Sequence, residues 1–266
     1  MATFKESILI LLFEFLGTAF LTALFSSCYA AGDPTGLLCG FFILLIFSAR
    51  ISGSHFNPAI TLAFMFRRDT GRFSRKLGLL YILAQYLGSL IGALFCFNLF
   101  ETKDDKFFPL SVLPRVDDDG EAHWLTIQAM FVEVIGTMLI TFLYLTQTEE
   151  KTKMSSDPAI TTLIISATYV AIVSYGETSA VQTGSPYNPA AAFGIFMGMA
   201  FDGDVSKTEG VWIFLFFAYA GAMLAIVLFE FVYKKAVSVV EDQDQGSSDD
   251  ERSDHDALLP TAMGDH

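Results

Sequence analysis

Apolar residues run along this chain in long blocks, and six of the blocks approach the roughly 20 helical residues that a ~30 Å hydrocarbon core demands. They cover residues 8–29, 36–51, 77–100, 125–147, 158–176 and 211–233. Each is read as a membrane-spanning helix. The second and fifth are the shortest, and each is followed by a further apolar piece, 59–66 and 190–200. At about 1.5 Å per residue the first piece reaches only ~12 Å, so both pieces are predicted to enter the membrane and stop there.

The pattern also repeats. Phe13-Glu14-Phe15-Leu16-Gly17-Thr18 in the first span returns as Val132-Glu133-Val134-Ile135-Gly136-Thr137 in the fourth, and Asn57-Pro58-Ala59 returns as Asn188-Pro189-Ala190. Three spans separate the copies. An odd number turns the second half upside down relative to the first, and an inverted repeat with broken helices in matching places points to a site at the midplane between the halves.

Composition agrees with the pattern. With 53% hydrophobic residues and a mean hydropathy of +0.49, the chain is too apolar for a soluble domain of 266 residues. The net charge of −13 comes largely from residues 236–266, which hold nine acids against Arg252 alone. That segment is read as a disordered acidic tail behind a channel domain at 1–235. Cys28, Cys39 and Cys96 lie in apolar segments and are read as packing residues. The first apolar run lacks a basic n-region and a cleavage site, so it is read as a retained span.

Charge in the loops sets an orientation. Arg67, Arg68, Arg72, Arg75 and Lys76 crowd the loop after the second span, whereas residues 101–121 hold seven acids and three bases. The positive-inside rule places the first of these loops, and both termini with it, in the cytoplasm. Arg50 is read as snorkelling toward the same side.

Asn is a favoured N-cap and Pro suits the first helical position, so each Asn-Pro-Ala tripeptide starts a short helix. In an inverted repeat the two half-helices meet by their N-termini, and two positive dipole ends converge near the bilayer centre. Cations are repelled there. The side-chain oxygen of Asn57 or Asn188 accepts from its own first turn, leaving the amide NH₂ to donate to a passing solute oxygen.

These residues carry a family likeness. Ile51-Ser52-Gly53-Ser54-His55-Phe56-Asn57-Pro58-Ala59 and Thr183-Gly184-Ser185-Pro186-Tyr187-Asn188-Pro189-Ala190 resemble the two signatures of the aquaporin (major intrinsic protein) family. The similarity runs from about residue 8 to 233 and includes Ala84-Gln85-Tyr86-Leu87-Gly88 and Trp212-Ile213-Phe214. The resemblance implies an all-α membrane fold of six transmembrane helices plus two re-entrant half-helices, one pore per subunit and a homotetramer. It also implies that His55 lines the pore. Glu14 and Glu133 are expected to hydrogen-bond the backbone of the re-entrant loops and hold them in place.

One part of the family pattern is missing. The positions matching the narrow filter are Leu37, Gly176, Ser185 and Ala191, so the arginine that follows the second Asn-Pro-Ala in the family is replaced by alanine. Such a mouth is predicted to be wider and less polar than in a strict water channel. Ala192 stands where glycerol facilitators carry an aspartate.

The function expected from these readings is passive passage of water or other small uncharged solutes such as glycerol, urea, ammonia or peroxide, with ions and protons excluded at the paired motifs. Two other readings stay open: a structural or adhesive membrane protein with the same fold and little conductance, and a secondary transporter. No enzyme constellation, metal motif or cofactor motif is visible. In the tail, Asp254, Leu258 and Leu259 match an acidic dileucine pattern and are read as a sorting-adaptor site. The expected location is the plasma membrane or an endosomal or vacuolar membrane.

Overall fold

The computed structural model describes residues 4–68, 73–99, 123–178, 183–201, 210–241 and 243. Among them are eight α-helices: α1 (Phe4–Ala31), α2 (Pro34–Ser48), α3 (Pro58–Phe66), α4 (Arg75–Leu99), α5 (His123–Thr148), α6 (Pro158–Thr178), α7 (Pro189–Phe201) and α8 (Val211–Leu228). The dileucine residues Asp254, Leu258 and Leu259 lie outside the described residues, as does the whole acidic loop at 101–121.

The helices pair as the repeat requires. α1 lies along α4 and α5 along α8, while α2 packs against α6. The two short helices interlock the halves: α3 rests on α4 and α8, and so does α7. Close approach of the long pairs depends on glycine. Gly88 of α4 sits against the carbonyl of Phe15, and Gly221 of α8 against that of Val134, positions where a Cβ would collide with backbone. Phe15 and Val134 are equivalent in the repeat, so the same contact is built twice.

Among the described residues, five helices are long and apolar enough to cross a membrane: α1, α4, α5, α6, and α8 with its extension to Glu241. α2 differs from the expected 36–51 span. It has 15 residues, about 22 Å of helix. Its cap is legible in the sequence, since Asp33 accepts from the Gly36 N–H at 2.8 Å and Pro34 opens the first turn. Its end is a turn in which Ile51 and Ser52 donate back to the Ser48 carbonyl, before Gly53 at φ 86° redirects the chain toward α3.

Polar and apolar surfaces are inverted relative to a soluble domain. Phe20, Phe47, Leu79, Phe131, Tyr175 and Phe216 are all more than half exposed, while Glu14, Gln85 and Glu133 are fully buried. A lipid-facing exterior accounts for both observations. Of the cysteines, Cys96 is buried and donates to the Ala23 carbonyl, but Cys39 faces outward rather than packing inside. The last helix passes through a π-helical turn at Phe229–Tyr233 and continues to Glu241, beyond the expected domain end at Lys235.

Candidate functional site

α3 and α7 start at the two Asn-Pro-Ala turns. Asn57 Oδ1 accepts from the Ala59 N–H at 2.9 Å, and Asn188 Oδ1 accepts from Ala190 at 3.1 Å and Ala191 at 3.3 Å. Each amide then reaches across the molecule. Asn57 Nδ2 donates to the Tyr187 carbonyl at 2.9 Å, and Asn188 Nδ2 donates to the Phe56 carbonyl at 2.8 Å. The expectation of a wholly free NH₂ is therefore corrected: one of its two hydrogens is committed to the opposite loop, and one is left for a solute.

The carbonyls face that way because Phe56 (φ 47°) and Tyr187 (φ 48°) are left-handed. Such a backbone costs a bulky residue on the order of 1–3 kcal/mol, so packing must hold it. The rings supply the packing. Phe56 is seated where Gly17 has no Cβ and Tyr187 where Gly136 has none, and a methyl group at either glycine would overlap the ring. The repeated Gly-Thr steps in the first and fourth spans thus shape the Asn-Pro-Ala junction.

Glu14 is bonded to the first re-entrant loop and to α4. Its Oε1 accepts from Ser52 Oγ at 2.6 Å and the His55 N–H at 3.0 Å; its Oε2 accepts from the Phe56 N–H and Gln85 Nε2, both at 2.8 Å. Glu133 corrects the expectation for its half. It is fully buried, and neither carboxyl oxygen accepts a hydrogen bond of ordinary geometry, the Ser185 hydroxyl being the group beside it. The cause is in the chain: Pro186, at the place of His55, has no N–H, and the Tyr187 N–H donates to Ser185 Oγ at 2.9 Å instead. Ala218, three residues before Gly221, stands where Gln85 stands three before Gly88.

His55 is buried beside the first motif. Its Nδ1 lies 3.2 Å from Thr61 Oγ1, and its ring is boxed by Phe64, Phe73, Tyr81 and Tyr144 at centroid distances of 4.3, 5.3, 5.4 and 6.1 Å. It lines a cavity of about 290 Å³ together with Leu45, Ser54, Tyr144 and Thr161.

The four filter positions have different surroundings. Leu37 lines a second cavity of about 310 Å³, with Cys28, Tyr29, Asp33, Val173 and Glu177, at the other end of the α2–α6 groove. The space beside Gly176 is not empty, because the Tyr187 hydroxyl occupies the volume a Cβ would take. Ser185 receives the Tyr187 N–H, and Ala191 is wholly buried in the first turn of α7. Glu177, next to Gly176, accepts from the Tyr29 hydroxyl and from the Gly184 N–H at 3.1 Å.

Sequence reasoning missed two residues between the cavities. Leu37, Phe41 and Leu45 occupy successive turns of α2, and Ile165, Tyr169 and Val173 successive turns of α6. Leu37 and Val173 line one cavity, and Leu45 and Ile165 the other. In the middle layer Phe41 and Tyr169 touch, with ring centroids 4.9 Å apart and planes at 57°. The signal available was the four-residue spacing from Leu37.

The comparisons with known proteins agree with this architecture. A propanediol uptake facilitator of Citrobacter freundii is 31% identical over 222 residues, 74% of this chain and 80% of that protein. Sheep (Ovis aries) aquaporin-1 is 24% identical over 196 residues, covering 73% of this chain, and Arabidopsis thaliana aquaporin PIP2-1 is 28% identical over 201 residues, covering 74%. The chain spans 64% of the length of each of these two relatives, just under two thirds. In structure it resembles the aquaglyceroporin of Plasmodium falciparum, with a TM-score of 0.70 and 20% identity over 88% of this chain and 99% of the other, a likeness of fold. The model of the major intrinsic protein family matches residues 11–229, so the greater part of the sequence carries its signature and the chain belongs to that family.

Proposed function

We propose that the protein is a passive membrane channel for water and small uncharged solutes such as glycerol, urea, ammonia or peroxide, and not an enzyme. The observation that carries this reading is the junction at which α3 and α7 meet, where each asparagine keeps one amide hydrogen after bracing the opposite loop. Solute oxygen is offered donors at one point, and the two helix N-termini disfavour cations at the same point. The family membership supports a channel, and the propanediol facilitator among the relatives supports solutes larger than water.

The absent filter arginine, with Ala191 in its place, leaves exclusion of ions and protons to the asparagines and helix dipoles. The family implies a homotetramer with one pore per subunit. The basic residues near α3 and α4 support cytoplasmic termini, and the acidic dileucine pattern of Asp254, Leu258 and Leu259 supports a sorting adaptor and a plasma, endosomal or vacuolar membrane. The contact of Phe41 with Tyr169 favours a second reading, a structural membrane protein of low conductance. Osmotic swelling of proteoliposomes, first in impermeant osmolyte and then in glycerol, urea or ammonia gradients, decides between them. Rates no greater than those of empty liposomes for every solute reject the channel.

A further inference from the structure

The two halves of the molecule differ at one buried point that the channel reading leaves unexplained. Glu14 receives four donors, whereas Glu133, its twin in the repeat, has only the Ser185 hydroxyl beside it and no hydrogen bond of ordinary geometry. Pro186 and Ala218, which lack the N–H of His55 and the amide of Gln85, account for two of the losses. A second buried group shares the deficit. The Tyr169 hydroxyl has no partner, although the residue is only 2% exposed, and it lies within electrostatic reach of Glu133 and Tyr187. An unpaired buried carboxyl or hydroxyl is costly, and proteins meet that cost with bound water wherever two to four polar groups converge.

We propose that Glu133 and Tyr169 form a hydrogen-bonding site in the channel wall that holds water drawn from the pore. Tyr169 connects the site to the pore, because its ring forms the middle layer of the α2–α6 groove against Phe41. The site takes small uncharged molecules that donate to a carboxyl oxygen and accept from a phenol. It gives the second half a wet wall at the place where the first half bonds its carboxylate, Glu14, to four protein donors.

Radiolytic hydroxyl labelling of the intact protein in liposomes, in ¹⁸O water, tests the proposal. Tyr81 is the internal control: it is also 2% exposed, but its hydroxyl donates to the carbonyl of Ser52 at 2.7 Å. The expected result is several-fold faster ¹⁸O incorporation at Tyr169 than at Tyr81. Ala218→Gln restores the missing amide, and Pro186→Ala restores a backbone N–H; each should lower Tyr169 labelling toward the control. The second variant keeps the test alive if the larger side chain prevents folding. Equal labelling of the two tyrosines in the unaltered protein overturns the proposal. So does a Tyr169 rate unchanged in the folded variants, which would mean that water reaches the ring without being held by Glu133.

Discussion

Asn57 donates its amide to the carbonyl of Tyr187 at 2.9 Å, 130 residues away and in the opposite half of the repeat. With its counterpart from Asn188 to Phe56, this bond ties the two re-entrant loops into one unit. Replacing either asparagine by aspartate removes the donor, sets a carboxylate against a carbonyl oxygen and puts negative charge between the helix ends. Asn57→Asp and Asn188→Asp are therefore expected to lose about 1–3 kcal/mol of stability and to pass cations. Voltage clamp on cells with matched surface expression reads the second effect, and the absence of new cation current in both variants refutes the exclusion role.

The seats of Phe56 and Tyr187 give a second test. A methyl group at Gly17 or Gly136 overlaps the ring, and the overlap displaces the residue whose carbonyl the opposite asparagine uses. Gly17→Ala is expected to cost on the order of 1–3 kcal/mol, the range for an overpacked core. The double variant Gly17→Ala with Phe56→Ala should cost less than the sum of the two single changes, since the clash disappears with the ring. Thermal unfolding in detergent measures all three, and strict additivity would show that the glycine and the ring do not act together.

The half-helices, their caps and the repeat were legible because each rests on local chemistry: Asn before Pro, apolar length and matched spacing. What escaped depends on partners far away in the chain. The bracing of Asn57 by Tyr187 needs a left-handed backbone at residue 187, which nothing in a Pro-Tyr-Asn run announces. The fate of Glu133 was half legible, since Pro186 visibly lacks an N–H, but equating Ala218 with Gln85 required the contacts of Gly88 and Gly221. Phe41 was hidden for a simpler reason: α2 is almost wholly apolar, so no polar face marks the side that lines the groove.

At the end of the fold carrying α3's C-terminus, Glu149 joins two cations. Its Oε2 lies 2.8 Å from Arg67 and its Oε1 3.0 Å from Lys234, which also meets Glu230 in the π-helical turn at 3.2 Å. The side chains are largely but not fully covered, so Glu149→Gln is expected to cost about 1–2 kcal/mol, less than a deeply buried pair. The loss should be local. Hydrogen exchange is expected to accelerate over residues 229–241 while α1 and α4 keep their protection. Unchanged exchange in that segment would show that the cluster does not anchor the last helix.

Phe41 and Tyr169 touch in the layer between the two cavities, and under the proposed channel function this contact sets the size limit. The cavity lined by Leu37 and the one lined by His55 lie at opposite ends of the groove, and this ring pair fills the layer between them. A constriction of two rings restricts passage by size and offers few donors, so a solute crossing it is poorly compensated for lost hydration. Phe41→Ala removes one ring and should join the cavities, raising urea and glycerol permeability more than water permeability. Truncating a buried phenylalanine costs about 3–5 kcal/mol, so Phe41→Leu supplies a milder step that should change the ratio in the same direction. Tyr169→Phe keeps the ring and should leave the size limit in place. Stopped-flow light scattering on the three variants, corrected for the amount reconstituted, gives the solute-to-water ratio directly. A ratio that stays constant through Phe41→Leu and Phe41→Ala in folded protein would move the constriction to the Leu37 mouth, where the Tyr187 hydroxyl already fills the space beside Gly176.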